Sequence, residues 1–135
     1  MKSKLQFPAK VLTTLQTDRI IGIRAGTGST HRIIGVWVVV VGGRVFVRSY
    51  QLKPGGWWDT LCKDPLGEIF ISRRTRGIKV RAVQVKSGKL KDAVSSAYKE
   101  KYNTPGSVGY VAEMSRSPSC DATMELALIV PGSYP

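Results

Sequence analysis

Two β-rich runs, Ile33 to Val41 and Arg44 to Tyr50, meet across the dipeptide Gly42-Gly43. No other stretch limits the fold so sharply. Two adjacent residues that both tolerate positive φ fit the two-residue turn of a tight β-hairpin. That register sets Val41 opposite Arg44, Val39 opposite Phe46 and Trp37 opposite Arg48, all six on one face. The other face carries Val36, Val38, Val40, Val45, Val47 and Ser49. An antiparallel hairpin with one wet face alternates apolar and polar residues. Here both faces are largely apolar, so both are expected to be covered. A barrel interior suits the small valine face. For the face of Trp37, Val39 and Phe46, a helix, a second subunit and a flat ligand all stay open.

The rest of the chain is read by periodicity. Pro8 to Thr17 spaces Val11, Leu12 and Leu15 as a short helix, and Arg19 to Ala25 alternates as a strand. A Gly-rich turn, Gly26 to Thr30, precedes the hairpin. After it, the loop Lys53-Pro54-Gly55-Gly56 leads into a short helix from Trp57 to Cys62. Glu68 to Ser72 and Gly77 to Val85 read as strands around the basic turn Arg73-Arg74-Thr75-Arg76. Lys89 to Tyr102 is the clearest helix, with Leu90, Val94, Ala97, Tyr98 and Lys101 along one face. Thr123 to Val130 is the last strand. Strands joined by short turns with a few helices predict a mainly β fold with appended helices (α+β), an antiparallel barrel. One domain over residues 1–135 is expected, with 1–18 an N-terminal helical segment and 19–131 the barrel and its helices.

Charge narrows the partners. Lys and Arg total 21 against 9 for Asp and Glu, a formal net charge of +12. Asp18 is the only acid before Asp59, and none lies between Arg73 and Lys91. Such a field attracts phosphates, nucleic acid or anionic surfaces, and also serves solubility. Cys62 and Cys120 are too few for a disulfide framework, and with His31 the only histidine no metal set is expected. The longest apolar run is about half of a membrane span, and the first residues do not read as a signal peptide. A cytoplasmic protein without a membrane partner is the expectation.

No nucleophile–base pair, paired carboxylates or Walker or Rossmann glycine pattern is present. Any hard chemistry would therefore belong to a cofactor. Arg48 with Ser49 offers a planar fork and a hydroxyl to a phosphate, or is a strand-end charge. Ser29, Thr30, His31 and Arg32 suit an anion, or form a solvated loop. Trp57 and Trp58 offer flat indoles to a ring system, although one of them is expected in the core.

The runs His31 to Val40 and Val45 to Ser49 resemble the strands that open the flavin site of split-barrel proteins. Gly56 to Leu61 followed by Asp64-Pro65 is similar to the short helix and turn of the deazaflavin-dependent nitroreductase branch. Ala97 to Tyr102 and Thr123 to Pro131 resemble the bacterial DUF2255 family. The resemblance is thus to the pyridoxamine-phosphate-oxidase-like, deazaflavin-nitroreductase-like superfamily, from about Arg19 to Pro131. It implies a split antiparallel β-barrel, a homodimer, and FMN or F420 bound near the subunit interface. Hydride transfer from the reduced flavin to a small acceptor would follow. A non-catalytic flavin carrier, a barrel that binds no cofactor and a small basic nucleic-acid-binding barrel are the alternatives. On this reading Ser29, Thr30, His31, Arg32, Trp37, Arg48, Ser49, Trp57 and Trp58 hold the cofactor, with Arg48 on its phosphate. No catalytic residue is named. Many FMN-binding members carry a Lys or Arg in the short helix where this chain has Trp57 and Trp58, which shifts weight to the deazaflavin branch or to a barrel that has lost its cofactor.

Overall fold

The structure is a computed structural model that describes residues 6–27, 32–50, 52–72 and 76–129. Seven strands form one antiparallel sheet that curls into a nearly closed barrel, and four α-helices decorate it. In chain order these are α1 (Ala9–Thr17), β1 (Ile21–Ala25), β2 (Ile34–Val36), β3 (Val38–Val41), β4 (Arg44–Arg48) and α2 (Trp57–Lys63). There follow β5 (Leu66–Phe70), β6 (Ile78–Gln84), α3 (Gly88–Lys101), α4 (Val108–Met114) and β7 (Thr123–Leu128). The strand order is β2-β1-β5-β6-β7-β4-β3.

The Gly-Gly hairpin forms as its residues dictate. Gly42 and Gly43 sit at φ 58° and 76°, the left-handed region that a primed turn demands. Val41 pairs with Arg44, Val39 with Phe46 and Val38 with Val47. The pairing does not extend to Trp37, however. The long run Ile33 to Val41 is not one strand. It breaks at Trp37, and its first half becomes β2, paired instead with β1 through Val36 and Ile21. A single apolar run cannot show such a change of partner, because both halves are built from the same β-branched residue types although only Val36 of the first is buried.

Inside the barrel lie Val36, Val38, Val45, Val47, Ile69, Val80, Met124 and Leu126, with Val11 and Leu15 of α1 closing one end. The outer face of the hairpin is also covered, by the chain's own helices. Val39 and Phe46 pack with Val94, Tyr98 and Tyr102 of the α3 region and with Val111 and Met114 of α4. The double apolar pattern of the hairpin is therefore satisfied within one chain and gives no ground for a second subunit. Helix α3 is capped by Ser87, whose Oγ accepts from the Leu90 N–H at 3.2 Å. Helix α4 has no such cap, is only two turns long and contains Gly109. Its buried pair Val111 and Met114 is too short a pattern for periodicity to single out.

Candidate functional site

The break at Trp37 creates a fork. On one side β4 continues to Arg48, while on the other the chain swings away as β2. A pocket of about 570 Å³ is lined by both arms, by the Lys53–Gly56 loop and the start of α2, and by Tyr110 of α4. Three tryptophans face it: Trp37 from the fork, and Trp57 and Trp58 from the helix. Their indoles also pack partly against the core clusters, so wall and core share the same residues.

The aromatic wall is continuous. Trp37 stacks on Tyr102 with ring centroids 4.2 Å apart and planes 3° from parallel. Its other neighbour is Tyr110, edge-on at 6.2 Å, and Tyr110 meets Tyr50 edge-on at 5.2 Å. Tyr50 and Tyr110 stand at the rim, 44% and 51% exposed. Such rings give a rigid, flat, largely apolar surface at small entropic cost. Among the described residues no Asp or Glu lines the pocket, and its cationic residues are Arg48 and Lys53.

Those two cations differ entirely. Arg48 is 2% exposed, and all five of its N–H donors are spent inside the protein. Nε donates to Thr123 Oγ1 at 2.7 Å. One terminal nitrogen donates to Ser95 Oγ and to the Met114 carbonyl, both at 2.8 Å. The other donates to the Lys91 carbonyl at 2.7 Å and approaches Cys120 Sγ at 3.7 Å. Burial lowers its pKa from the ordinary arginine value, slightly offset by Cys120, Tyr98, Asp92 and Asp121. A guanidinium so committed has no fork left for a phosphate. The expectation that Arg48 grips one does not follow from this geometry. Arg48 instead ties β4 to α3, α4 and β7. Lys53 is exposed and forms no ion pair among the described residues.

The fork exposes backbone groups that a regular sheet would pair. β3 is the terminal strand of the sheet, so its outer edge lacks a neighbour. Side chains of α3 and its C-cap supply the partners. Tyr98 Oη donates to the Trp37 carbonyl at 3.2 Å. The Val38 N–H donates to Tyr102 Oη at 3.0 Å, and that hydroxyl donates to the Arg19 carbonyl at 2.7 Å. Lys101 Nζ donates to the carbonyls of Val38 and Leu15, each at 2.8 Å. Half-burial lowers the Lys101 pKa to about 8, with Arg19 adding to and Asp18 opposing the shift. Desolvation raises that of Tyr102 to about 12. Lys101 on the apolar face of α3 was visible in the sequence, but its task was not.

The structure brings Trp37, Arg48, Ser49, Trp57 and Trp58 to one pocket. Arg32 is exposed and does not line it. Ser29, Thr30 and His31, with the Arg73-Arg74 part of the basic turn, lie outside the described residues. Lys53, Tyr50 and Tyr110 join the site without a sequence signal of their own. Among the described residues no cluster of His, Cys, Asp or Glu is arranged to hold a metal ion, and no helix is long and apolar enough to cross a membrane.

A seven-stranded, nearly closed antiparallel barrel with a pocket at a strand fork defines the split β-barrel fold. Residues 12–126 match the model of a family described as "uncharacterized protein conserved in bacteria", DUF2255, and the chain belongs to that family. Solved structures share the fold. The heme storage protein HutZ from Vibrio cholerae aligns with a TM-score of 0.62 at 11% identity, over 92% of this chain and 89% of that one. A candidate pyridoxamine 5'-phosphate oxidase from Listeria innocua aligns at 0.58 and 12%, over 89% and 90%. An FAD-binding protein from Mesorhizobium loti aligns at 0.52 and 10%, over 96% and 95%. No curated protein matches.

Proposed function

We propose that the fork pocket binds a phosphate-bearing flavin, FMN or F420. The observation that carries this reading is the pocket itself: about 570 Å³, walled by Trp37, Trp57 and Trp58, with no acidic side chain among the described lining residues. A ligand site of that size with mostly apolar walls and few polar groups fits one flat ring system. Neighbours of the same fold whose names include FAD-binding and pyridoxamine 5'-phosphate oxidase support the ligand class.

Because Arg48 is spent, Lys53 is the residue assigned to the ligand's phosphate. Trp37, Trp57 and Trp58 would hold the ring and exclude water from it. A bound flavin would supply hydride transfer to a small acceptor. Among the described residues the lining offers no His, Asp, Glu or Cys to move a proton, and a carrier role without turnover is the second reading. A homodimer belongs to the proposal on new ground: Ile34, Tyr50 and Tyr110 leave an apolar rim exposed around the pocket mouth.

The test is the absorbance of the purified protein, followed by titrations with FMN, F420 and hemin read by tryptophan quenching. Saturable flavin binding that weakens only modestly with salt is expected. Hemin binding with no flavin binding would overturn the assignment. Oligonucleotide binding with a steep log–log salt slope would favour the nucleic-acid alternative.

A further inference from the structure

We infer that Tyr98, Lys101 and Tyr102, at the C-terminal end of α3, are positioning residues that fix the Trp37 wall of the fork pocket. The inference rests on reading that pocket as a ligand site. At the fork the chain leaves β4, and Trp37 belongs to neither β2 nor β3. Its flanking residues pair with different strands, Val36 with Ile21 and Val38 with Val47, and Trp37 itself has no strand partner. The α3 side chains fix its peptide planes from outside the barrel. Tyr98 takes the Trp37 carbonyl, while Tyr102 and Lys101 take the N–H and carbonyl of Val38.

The indole is held by the same element. The Tyr102 ring lies flat against Trp37 at 4.2 Å, while its hydroxyl holds the next residue's N–H and the Arg19 carbonyl. One tyrosine thus sets both backbone and ring at the wall. Lys101 links the fork to α1 through the Leu15 carbonyl. Carbonyls near a helix C-terminus lack intrahelical donors, so this bond meets a need at both ends. Plain packing of α3 on the sheet would require apolar side chains only. Three polar groups reaching two consecutive residues of the fork are more than packing needs, and burying them unpaired would be costly.

The experiment separates positioning from stability. In a Trp57→Phe, Trp58→Phe background, Trp37 is the only tryptophan, and its near-ultraviolet circular dichroism band reports its setting without ligand. Tyr98→Phe, Tyr102→Phe and Lys101→Met are each made there and in the native background, with Lys101→Arg as the conservative rescue and Leu126→Ala as a core control. Far-ultraviolet circular dichroism checks folding. Tyr98→Phe loses one hydroxyl and is the mildest variant. The expected result is a diminished Trp37 band and FMN affinity weakened about tenfold, the scale of one lost buried hydrogen bond. Lys101→Arg should restore both signals, and Leu126→Ala should lower stability without moving either. An unchanged Trp37 band in folded Tyr98→Phe and Lys101→Met would overturn the inference, as would an equal change in Leu126→Ala. If the wild type binds neither FMN nor F420, the pocket reading fails, and the ligand-free band still decides the positioning role.

Discussion

The two sides of the β3–β4 hairpin are built from different chemistry. The inner side faces a barrel of aliphatic residues and methionine, in which Val38, Val45, Val47, Ile69 and Leu126 are fully or nearly fully buried. The outer side faces α3 and α4 through aromatic rings, and its border contains Arg48 and Lys101 with all their hydrogen bonds. Aliphatic burial is non-directional, so the inner side provides stability without fixing any one atom. Hydrogen-bonded polar groups in a buried layer are directional and intolerant of loss. The outer side is thus where the geometry of the fork, and with it the pocket, is set.

The largest effect is expected of Arg48→Ala. It removes a buried side chain and leaves the Lys91 and Met114 carbonyls without their donor. A loss of about 4 kcal/mol is expected in chemical denaturation. A folded variant with nearly native stability and weakened FMN binding would instead return Arg48 to the role of phosphate ligand. On the inner side, Leu126→Ala should cost about 3 kcal/mol through transfer and cavity terms. FMN affinity per folded molecule should stay unchanged, and a loss there would mean that the two sides are not separable. Tyr102→Phe keeps the stack on Trp37 but orphans the Val38 N–H, and about 1.5 kcal/mol of stability should go with it. Lys53→Ala should leave the denaturation midpoint alone and weaken FMN binding by about 1.5 kcal/mol, the low end for a hydrogen bond to a charged group. Unaltered affinity would place the phosphate elsewhere.

The smallest effect is a pH dependence. Lys101 faces Asp18 and Arg19 across the α1–β1 junction and the Tyr102 ring on its own side, and half-burial holds its pKa at about 8 against the ordinary 10.5. Between those two values the unfolded chain keeps a proton that the folded chain has released. Stability contributed by this group therefore rises with pH across that window. Denaturant midpoints measured through it should climb in the wild type relative to Lys101→Met. Parallel curves would show that Lys101 titrates normally.

What the sequence determined by itself is local. Period and turn chemistry placed the Gly42-Gly43 hairpin, the helix before it and α3, β6 and β7, β5 two residues late, and the two-sided burial of Val38 to Val47, because each depends on residues a few positions apart. The mainly β class with appended helices followed from their order. Trp37, Trp57 and Trp58 were legible as ring-facing candidates because indoles are rare and large. The tertiary structure alone decided the change of strand partner at Trp37, the short helix α4 and the covering of the hairpin's outer face. It also decided the fate of Arg48. In sequence that residue is a charge without an acid nearby, which suggested a phosphate. In the fold its acceptors are neutral oxygens at Lys91, Met114 and Thr123, which are 43, 66 and 75 residues away. Backbone carbonyls and hydroxyls occur everywhere in a chain, so no sequence pattern marks which of them will converge. Only the packing of α3, α4 and β7 against one strand end brings them within reach of a single guanidinium.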